Sequence, residues 1–209
     1  VYFNKLNPFS AEKNEYQNRS TLLLWVKIVI ACLPVGILGV LLDNWIEEHM
    51  KSSLIIALTL IIYGIIFIVI ESRGFKKEPI INKTSKIDYY TALYIGIFQV
   101  LSLVPGTSRS GATIIGAMLL GCSRSVAAEF SFFLGMPIIL GASLLKIFKY
   151  SAAYTASQLL YLLVGVLVAF FVSAYSVNFL INWVKKHDFK LFGYYRIVLG
   201  IIVLVWFMV

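Results

Sequence analysis

Residues 105–111 have the sequence PGTSRSG and separate two apolar stretches of the chain. The residue types in this segment are those that bind phosphate. A guanidinium such as that of Arg109 can hold a phosphate through two parallel hydrogen bonds. The hydroxyls of Ser108 and Ser110 on either side can donate to the remaining oxygens. The segment therefore indicates an anion-binding site.

The helix that follows this segment would strengthen such a site. We expect Ser110 to cap the helix, so that the backbone N–H groups of Gly111, Ala112 and Thr113 point out of its N-terminus. The helix dipole also favours a negative charge at this position. The structural alternative is that Arg109 pairs with a helix C-terminus while the small residues serve helix packing.

The composition indicates that this segment belongs to a membrane protein. Of the 209 residues, 60% are hydrophobic and 13% are charged, whereas a soluble domain carries about a quarter charged residues. The net charge of +8 fits the excess of Lys and Arg in cytoplasmic loops and does not require nucleic acid as a partner. Spanning helices of about 20 residues are predicted at 21–42, 53–71, 126–148, 157–182 and 192–209.

The stretch 89–121 allows two arrangements in a membrane. Each apolar arm is too short to span comfortably, and Pro105 and Gly106 break the helix between them. The stretch is either a single broken crossing or a re-entrant helix–loop–helix that enters and leaves on the same side. Re-entry places twelve Lys and Arg residues on one side and three on the other, against ten and five for a crossing. The positive-inside rule favours re-entry, which puts the C-terminus outside.

Residues 95–143 resemble the second signature region of the undecaprenyl-diphosphate phosphatases, the bacitracin-resistance phosphatases of bacteria. The core PGTSRSGAT matches the family pattern PGxSRSGAT, and the FQ before it and the MLLGCSR and EFSF after it match as well. The order of loops and helices extends the resemblance over essentially the whole chain.

The resemblance implies an all-α polytopic membrane protein, an inverted-repeat helical bundle in which each repeat has a re-entrant helix–loop–helix. Residues 1–209 would form a single membrane domain. The last two helices of the first repeat would be 21–71, and 89–209 would be the second repeat with its hairpin at 89–121. The family's first signature region, a glutamate-rich ExxxE-type motif and a PVSSTGH-like loop, has no counterpart here. We therefore expect an N-terminal part to be missing before the abrupt start.

The resemblance also implies an activity, the hydrolysis of undecaprenyl diphosphate to the monophosphate and phosphate at the outer face of the bacterial plasma membrane. In that family this recycles the lipid carrier for cell-wall synthesis. Arg109 would bind the diphosphate, and Ser108, Ser110 and Thr113 would donate hydrogen bonds to its oxygens. Gln99, in the matching FQ, would orient the loop. A divalent cation, Mg²⁺ or Ca²⁺, is implied by the family alone, and the sequence does not identify its ligands.

Glu129 and the choice of function leave alternatives open. Glu129 follows the hairpin within an apolar run, where it is either a partner of Arg109 or of a site hydroxyl, or a helix-end carboxylate at the membrane interface. The alternative function is a transporter or flippase of a lipid-linked phosphate anion, because inverted repeats with broken helices are transporter architecture. The acid-phosphatase-like lipid phosphatases fit less well, since their PSGH and SRxxxxxHxxxD patterns are absent. The expected partners are a polyprenyl diphosphate and membrane lipid, and the fold is compatible with a homodimer.

Overall fold

The computed structural model describes residues 2–8, 14–73, 79–149, 155–184 and 187–208. Short 3-10 turns at Thr84–Lys86 and Leu101–Leu103 flank one of its α-helices. In chain order, the α-helices are α1 (Phe3–Leu6), α2 (Glu15–His49), α3 (Ser53–Arg73), α4 (Tyr89–Val100), α5 (Arg109–Leu119), α6 (Arg124–Lys149), α7 (Ala156–Val184) and α8 (Lys190–Met208).

Five of these helices (α2, α3, α6, α7 and α8) are long and apolar enough to cross a membrane. The predicted all-α membrane fold is thereby confirmed. α2 begins at Glu15, earlier than predicted, because the N–H of Asn14 donates to the side chain of Gln17 at 3.2 Å and caps the first turn. Several residues used in the sequence argument lie outside the described ranges: Val1, Lys13, Lys76, Lys77, Lys185 and Lys186.

α4 and α5 form a helical hairpin whose two ends are joined by backbone hydrogen bonds. The N–H of Ile81, before the hairpin, donates to the carbonyl of Gly121 at 3.0 Å, and the N–H of Ser123, after it, donates to the carbonyl of Ile81 at 2.9 Å. The hairpin therefore begins and ends at the same end of the bundle.

Glycines allow the hairpin to pack closely on its neighbours. A Cβ atom at Gly96 of α4 would stand 2.8 Å from the Cα of Ala31 in α2, and one at Gly116 of α5 would stand 2.6 Å from the Cβ of Phe98 in α4. Residues 111–118 of α5 are all buried. α5 is thus the most enclosed helix of the described core, and its N-terminus occupies a fixed position.

α3 and α8 form the other tight pair. Here too the contact runs through glycines: a Cβ at Gly64 would stand 2.7 Å from the carbonyl oxygen of Gly193, and a Cβ at Gly193 would stand 2.8 Å from the carbonyl oxygen of Gly64. Because each backbone leaves room for the other, the two helices approach one another closely. They form a scaffold beside the loop that connects α4 and α5.

Polar contacts bring the remaining helix ends to the base of the hairpin. Arg124, at the start of α6, forms an ion pair with Glu71 near the end of α3. Lys27, near the start of α2, donates to the carbonyl of Ser85 at 3.3 Å. The start of α2, the end of α3 and the start of α6 therefore lie at the end of the bundle where the hairpin begins.

Candidate phosphate-binding site

Helices α3 and α8, called the scaffold pair below, both donate hydrogen bonds to the loop between α4 and α5. Thr59 of α3 donates its hydroxyl to the carbonyl of Pro105 at 2.8 Å, and Arg196 of α8 donates Nη2 to the carbonyl of Gly106 at 2.6 Å. Gly106 has φ +88°, and a Cβ there would meet Thr59 Oγ1 and stand 2.8 Å from the carbonyl oxygen of Ile56. Only glycine fits this turn, because the conformation and the contact both exclude a side chain.

Arg196 is a site residue that sequence reasoning passed over. It lies within the predicted span 192–209, and a charged side chain inside a span is by itself a reason to suspect function. Its partner, however, is a backbone carbonyl 90 residues away in the chain. No local pattern indicates such a contact.

The first turn of α5 begins earlier than predicted, and this changes which amides are free. Ser108, and not Ser110, caps the helix: its hydroxyl accepts from the N–H of Gly111 at 3.1 Å, and its carbonyl accepts from the N–H of Ala112 at 2.9 Å. The amides of Gly111 and Ala112 are thus engaged. Those at the open N-terminus belong to Arg109 and Ser110, the first two residues of the helix.

Thr113 and Gly111 also have packing partners. The hydroxyl of Thr113 is fully buried and shares a hydrogen bond of 2.6 Å with the hydroxyl of Ser131 in α6. A Cβ at Gly111 would stand 3.1 Å from the ring of Phe67 in α3. Both residues therefore fix α5 against its neighbours, and their contacts with phosphate stay a prediction. Sequence spacing could not distinguish the two roles, because small and hydroxyl residues serve both.

The side chain of Arg109 is half-buried, and its Nη1 atom is shielded from solvent without a hydrogen-bond acceptor in the described part of the chain. A Cβ at Gly135 of α6 would stand 2.7 Å from Nη2. Leaving a buried charged donor unpaired is costly. The geometry therefore favours an anion at Arg109.

Glu129 has partners other than those predicted. Its carboxylate forms an ion pair with Lys5 of α1 and accepts a hydrogen bond of 2.9 Å from the hydroxyl of Thr84. Gly135, which touches Arg109, lies six residues further along α6, a rise of about 9 Å. Glu129 thus contacts the N-terminal segment near the base of the hairpin. Neither Arg109 nor a serine of the PGTSRSG segment is among these partners.

Gln99 contacts the entry of the loop through its backbone. Its carbonyl accepts a hydrogen bond of 2.6 Å from the hydroxyl of Ser102. Its side chain is fully buried, and both polar atoms of the amide lack partners among the residues that the structure describes. The contact that bears on the predicted role of Gln99 in orienting the loop is therefore this hydrogen bond to its backbone carbonyl, and it does not involve the side chain.

An apolar groove of about 540 Å³ runs between α2 and α6. Cys32 lines this groove, and its thiol is 3.9 Å from the carbonyl oxygen of Leu134. Leu134 precedes Gly135, which contacts Arg109, so the groove lies near the guanidinium. Its lining is almost free of polar atoms and consists of Val29, Cys32, Leu33, Gly36, Ile37, Val40, Leu41 and Pro137.

A metal site of protein ligands does not occur in the described residues. No group of three His, Cys, Asp or Glu side chains within those ranges is close enough together to hold a metal ion. The polar groups around Arg109 are hydroxyls, backbone amides and the guanidinium itself, which suit an anion and do not fit a divalent cation.

Known proteins resemble this chain over nearly its whole length. The sequence profile of the family described as bacitracin resistance protein BacA matches residues 1–202. An undecaprenyl-diphosphatase of Enterococcus faecalis is 51% identical over 98% of the chain and 75% of the relative's length. An undecaprenyl-diphosphatase of Acetivibrio thermocellus is 48% identical over 100% of the chain and 76% of the relative's length. One of Lactobacillus delbrueckii subsp. bulgaricus is 53% identical over 97% of the chain and 75% of the relative's length.

Proposed function

The chain belongs to the family of the bacitracin resistance protein BacA, and we infer from this that it hydrolyses undecaprenyl diphosphate to undecaprenyl phosphate and inorganic phosphate. It is a multi-pass membrane protein and a hydrolase of a lipid substrate. Relatives named for this reaction are about half identical to it over nearly its entire length. The activity returns the lipid carrier to cell-wall synthesis and accounts for resistance to bacitracin.

The unpaired Nη1 of Arg109 is the observation that carries the assignment of the site. In the reaction, the oxygen of water bonds to the terminal phosphorus and the bond from that phosphorus to the bridging oxygen breaks. Negative charge grows on the phosphoryl and bridging oxygens as this happens. A guanidinium held in a water-poor position by α2 and α6 stabilises that charge without having to reorganise. Arg109 is therefore proposed as the catalytic cation.

Ser108 and Ser110 have different proposed roles at the N-terminus of α5. Ser110 offers its hydroxyl and its free amide to phosphate oxygens, and the amide of Arg109 adds a third donor. Ser108 caps the helix and so keeps these donors in place. Oriented backbone amides of this kind favour an anion more strongly when the helix dipole points the same way, as it does here.

The apolar groove between α2 and α6 is proposed to hold the polyprenyl chain nearest the diphosphate. Its lining residue Cys32 is 3.9 Å from the carbonyl oxygen of Leu134, the neighbour of the Gly135 that contacts Arg109, so the charged head and the apolar tail of one molecule can be bound at the same time. Because the chain of a membrane lipid already lies in hydrocarbon, the groove would contribute close packing contacts with that chain and not its transfer out of water. The groove therefore gives a reason for a lipid diphosphate to be preferred over a soluble one.

The hairpin is proposed to be re-entrant, within a bundle of two inverted repeats. The backbone bridge between Ile81 and Cys122 supports re-entry, because it holds the two ends of the hairpin together. The reciprocal contact of Gly64 with Gly193 supports the repeat, since a two-fold axis between α3 and α8 would produce such a contact. With the basic loops in the cytoplasm, the C-terminus and the opening of the site face the outside.

A divalent cation is a proposal carried from the family resemblance, and a homodimer is a possibility that no feature of the sequence predicts. Mg²⁺ is commonly bound through substrate phosphates and one or two carboxylates, so it can arrive with the substrate. Dependence on Mg²⁺ or Ca²⁺ is tested by phosphate release after chelation and readdition. The number of chains is tested by the mass of the purified protein in detergent.

The central experiment measures phosphate release from undecaprenyl diphosphate by the purified protein in detergent. The Arg109→Ala variant is expected to lose at least about 100-fold in rate, the usual loss when a group that stabilises transition-state charge is removed. Arg109→Lys keeps the charge but not the two parallel hydrogen bonds, and it should recover only part of the activity. Lys51→Ala serves as the matched loss of a cation, because Lys51 is exposed at the other end of the bundle.

The same measurement separates hydrolysis from transport. If the wild-type protein releases no phosphate with Mg²⁺ or Ca²⁺ present, hydrolysis is excluded for the chain. Movement of a labelled lipid diphosphate across vesicles would then establish the flippase alternative. If phosphate is released and Arg109→Ala remains as active as Lys51→Ala, the reaction stands and the site lies elsewhere.

A further inference from the structure

Arg196 is a charged side chain inside the membrane-spanning helix α8. A charge at this depth is costly unless it has a partner and a purpose. Its Nη2 donates to the carbonyl of Gly106 at 2.6 Å, so its partner is the loop that leads into the phosphate site. The side chain is half-buried, and a charge-assisted hydrogen bond in such surroundings is stronger than one in water.

Two successive carbonyls of this loop are bound by two different helices. Arg196 of α8 takes the carbonyl of Gly106, and Thr59 of α3 takes that of Pro105. The loop is also pressed against α3, since a Cβ at Gly106 would stand 2.8 Å from the carbonyl oxygen of Ile56. Neither carbonyl can rotate without losing a hydrogen bond. Two residues later, Ser108 starts the helix that carries Arg109.

The donors themselves are fixed relative to one another. Thr59 and Arg196 lie on α3 and α8, which are locked together where Gly64 meets Gly193. The scaffold pair thus acts as one rigid body that binds the loop through hydrogen bonds from outside the hairpin. A shift of Arg196 would be transmitted to the loop directly, because no flexible segment intervenes between the contact and the start of α5.

We propose that Arg196 is a positioning residue for phosphate hydrolysis: by binding the carbonyl of Gly106 it sets the direction in which the N-terminus of α5 and Arg109 face the substrate. The inference rests on the proposed function. Arg196 acts through the loop, while Arg109 contacts the phosphate. A misplacement of about 1 Å at a reacting centre can cost on the order of 100-fold in rate, so the effect belongs in kcat.

The test compares wild type, Arg196→Met and Arg196→Lys in phosphate release from undecaprenyl diphosphate, with KM and kcat measured separately. We expect Arg196→Met to lower kcat about 10- to 100-fold with KM little changed, and Arg196→Lys to recover part of the loss by donating to the same carbonyl. Thr59→Val, which removes the neighbouring contact, should act in the same direction. Lys51→Met is the matched control, since Lys51 is exposed and remote.

A second readout does not depend on catalysis. Thr107 in the loop is buried, so a Thr107→Cys probe in a background with Cys32→Ala and Cys122→Ala should react slowly with a maleimide. Adding Arg196→Met should speed its labelling at least several-fold. If the wild-type protein releases no phosphate, the proposed function fails, but faster labelling would still support the grip of Arg196 on the loop.

Three results would overturn the proposal. The first is an unchanged kcat per folded molecule together with unchanged labelling of the probe. The second is a rise in KM without a loss of kcat, because Arg196 would then bind the substrate itself. The third is an equal loss of kcat in the Lys and Met variants with the probe still protected, which would separate the activity loss from loop position.

Discussion

The guanidinium of Arg109 lies against the backbone of Gly135, at a point where a Cβ would stand 2.7 Å from Nη2 and 3.2 Å from Nη1. The site therefore depends on a residue that contributes no functional group. α6 provides the room for the arginine by having no side chain at this position. Gly135 lies in the stretch that resembles the phosphatase signature, but its contact with Arg109 becomes visible only in three dimensions.

The change Gly135→Ala should reduce activity while leaving the protein folded. The added methyl group meets the far end of a flexible side chain, so Arg109 moves and the helices do not. We expect phosphate release to fall about 10- to 100-fold, as for other misplaced catalytic groups, with the melting temperature in detergent nearly unchanged. Gly141→Ala, in the same helix with open space around the new methyl, is the control. Full activity in Gly135→Ala would show that Arg109 does not act from this position.

Filling the apolar groove should weaken the binding of long lipids. A Cβ at Gly36 has no neighbour within 4 Å, so Gly36→Leu can place its side chain in the groove without disturbing α2. We expect KM for undecaprenyl diphosphate to rise about tenfold, which corresponds to a loss of about 1.4 kcal/mol of packing contacts between the lipid chain and the groove. A diphosphate with a short isoprenoid chain should be unaffected. The matched control is Gly165→Leu on α7, and an equal KM in both variants would place the tail elsewhere.

The re-entrant hairpin can be tested by labelling from either side of the membrane. Ser85 and Ser125 flank the hairpin and are exposed, while Ser52 is exposed at the other end of the bundle. With Cys32 and Cys122 replaced by Ala, a single Cys at 85 or 125 should react with an impermeant maleimide only after the cells are opened. A Cys at 52 should react in intact cells. Labelling of 85 and 125 from opposite sides would establish a single crossing.

The base of the hairpin should weaken in acid because of Asp88. Its carboxylate accepts from the N–H of Thr91 at 2.8 Å and caps α4. A hydrogen bond with the side chain of Thr91, and then the one with its N–H, holds the pKa of Asp88 below the ordinary value of 3.8. Since the folded state prefers the charged form, the stabilisation is complete above the unfolded pKa and is lost as the pH falls through the lower, folded value. The melting-temperature difference from Asp88→Ala should therefore be constant well above pH 3.8 and shrink as the pH falls below it. A difference independent of pH would contradict the cap.

Much of this architecture could be predicted from apolar runs and breakers. Five spans and a broken hairpin at 89–121 follow from composition and from Pro105 and Gly106, because length and polarity leave few other solutions in a membrane. The start of α5 could not be fixed in the same way. Ser108 and Ser110 are both good N-cap residues by type. We attribute the start of α5 at Arg109, with Ser108 as the cap, to the hydrogen bonds that α3 and α8 donate to the preceding loop.

The partners of charged residues were the least predictable feature. Glu129 pairs with Lys5, which is 124 residues away in the chain, and Arg196 binds a carbonyl 90 residues away. Sequence distance on this scale carries no geometric information without a fold. The sequence does show that a charge lies within a membrane span, and this makes both Glu129 and Arg196 candidates for a functional role. Applied to the span 192–209, that rule would have identified Arg196.

The hydrogen bond from Arg196 to the carbonyl of Gly106 also sets the order in which the site is assembled during synthesis of the chain. The hairpin leaves the ribosome before α6, α7 and α8, when Thr59, whose hydroxyl contacts the carbonyl of Pro105 in the complete fold, has already been made. Arg196 is made almost last among the described residues, so the loop gains its second hydrogen bond only when α8 enters the membrane and docks on α3. A nascent chain arrested before α8 would insert the phosphate loop with one side unsupported. The protein thereby delays completion of its site until nearly the whole bundle is assembled.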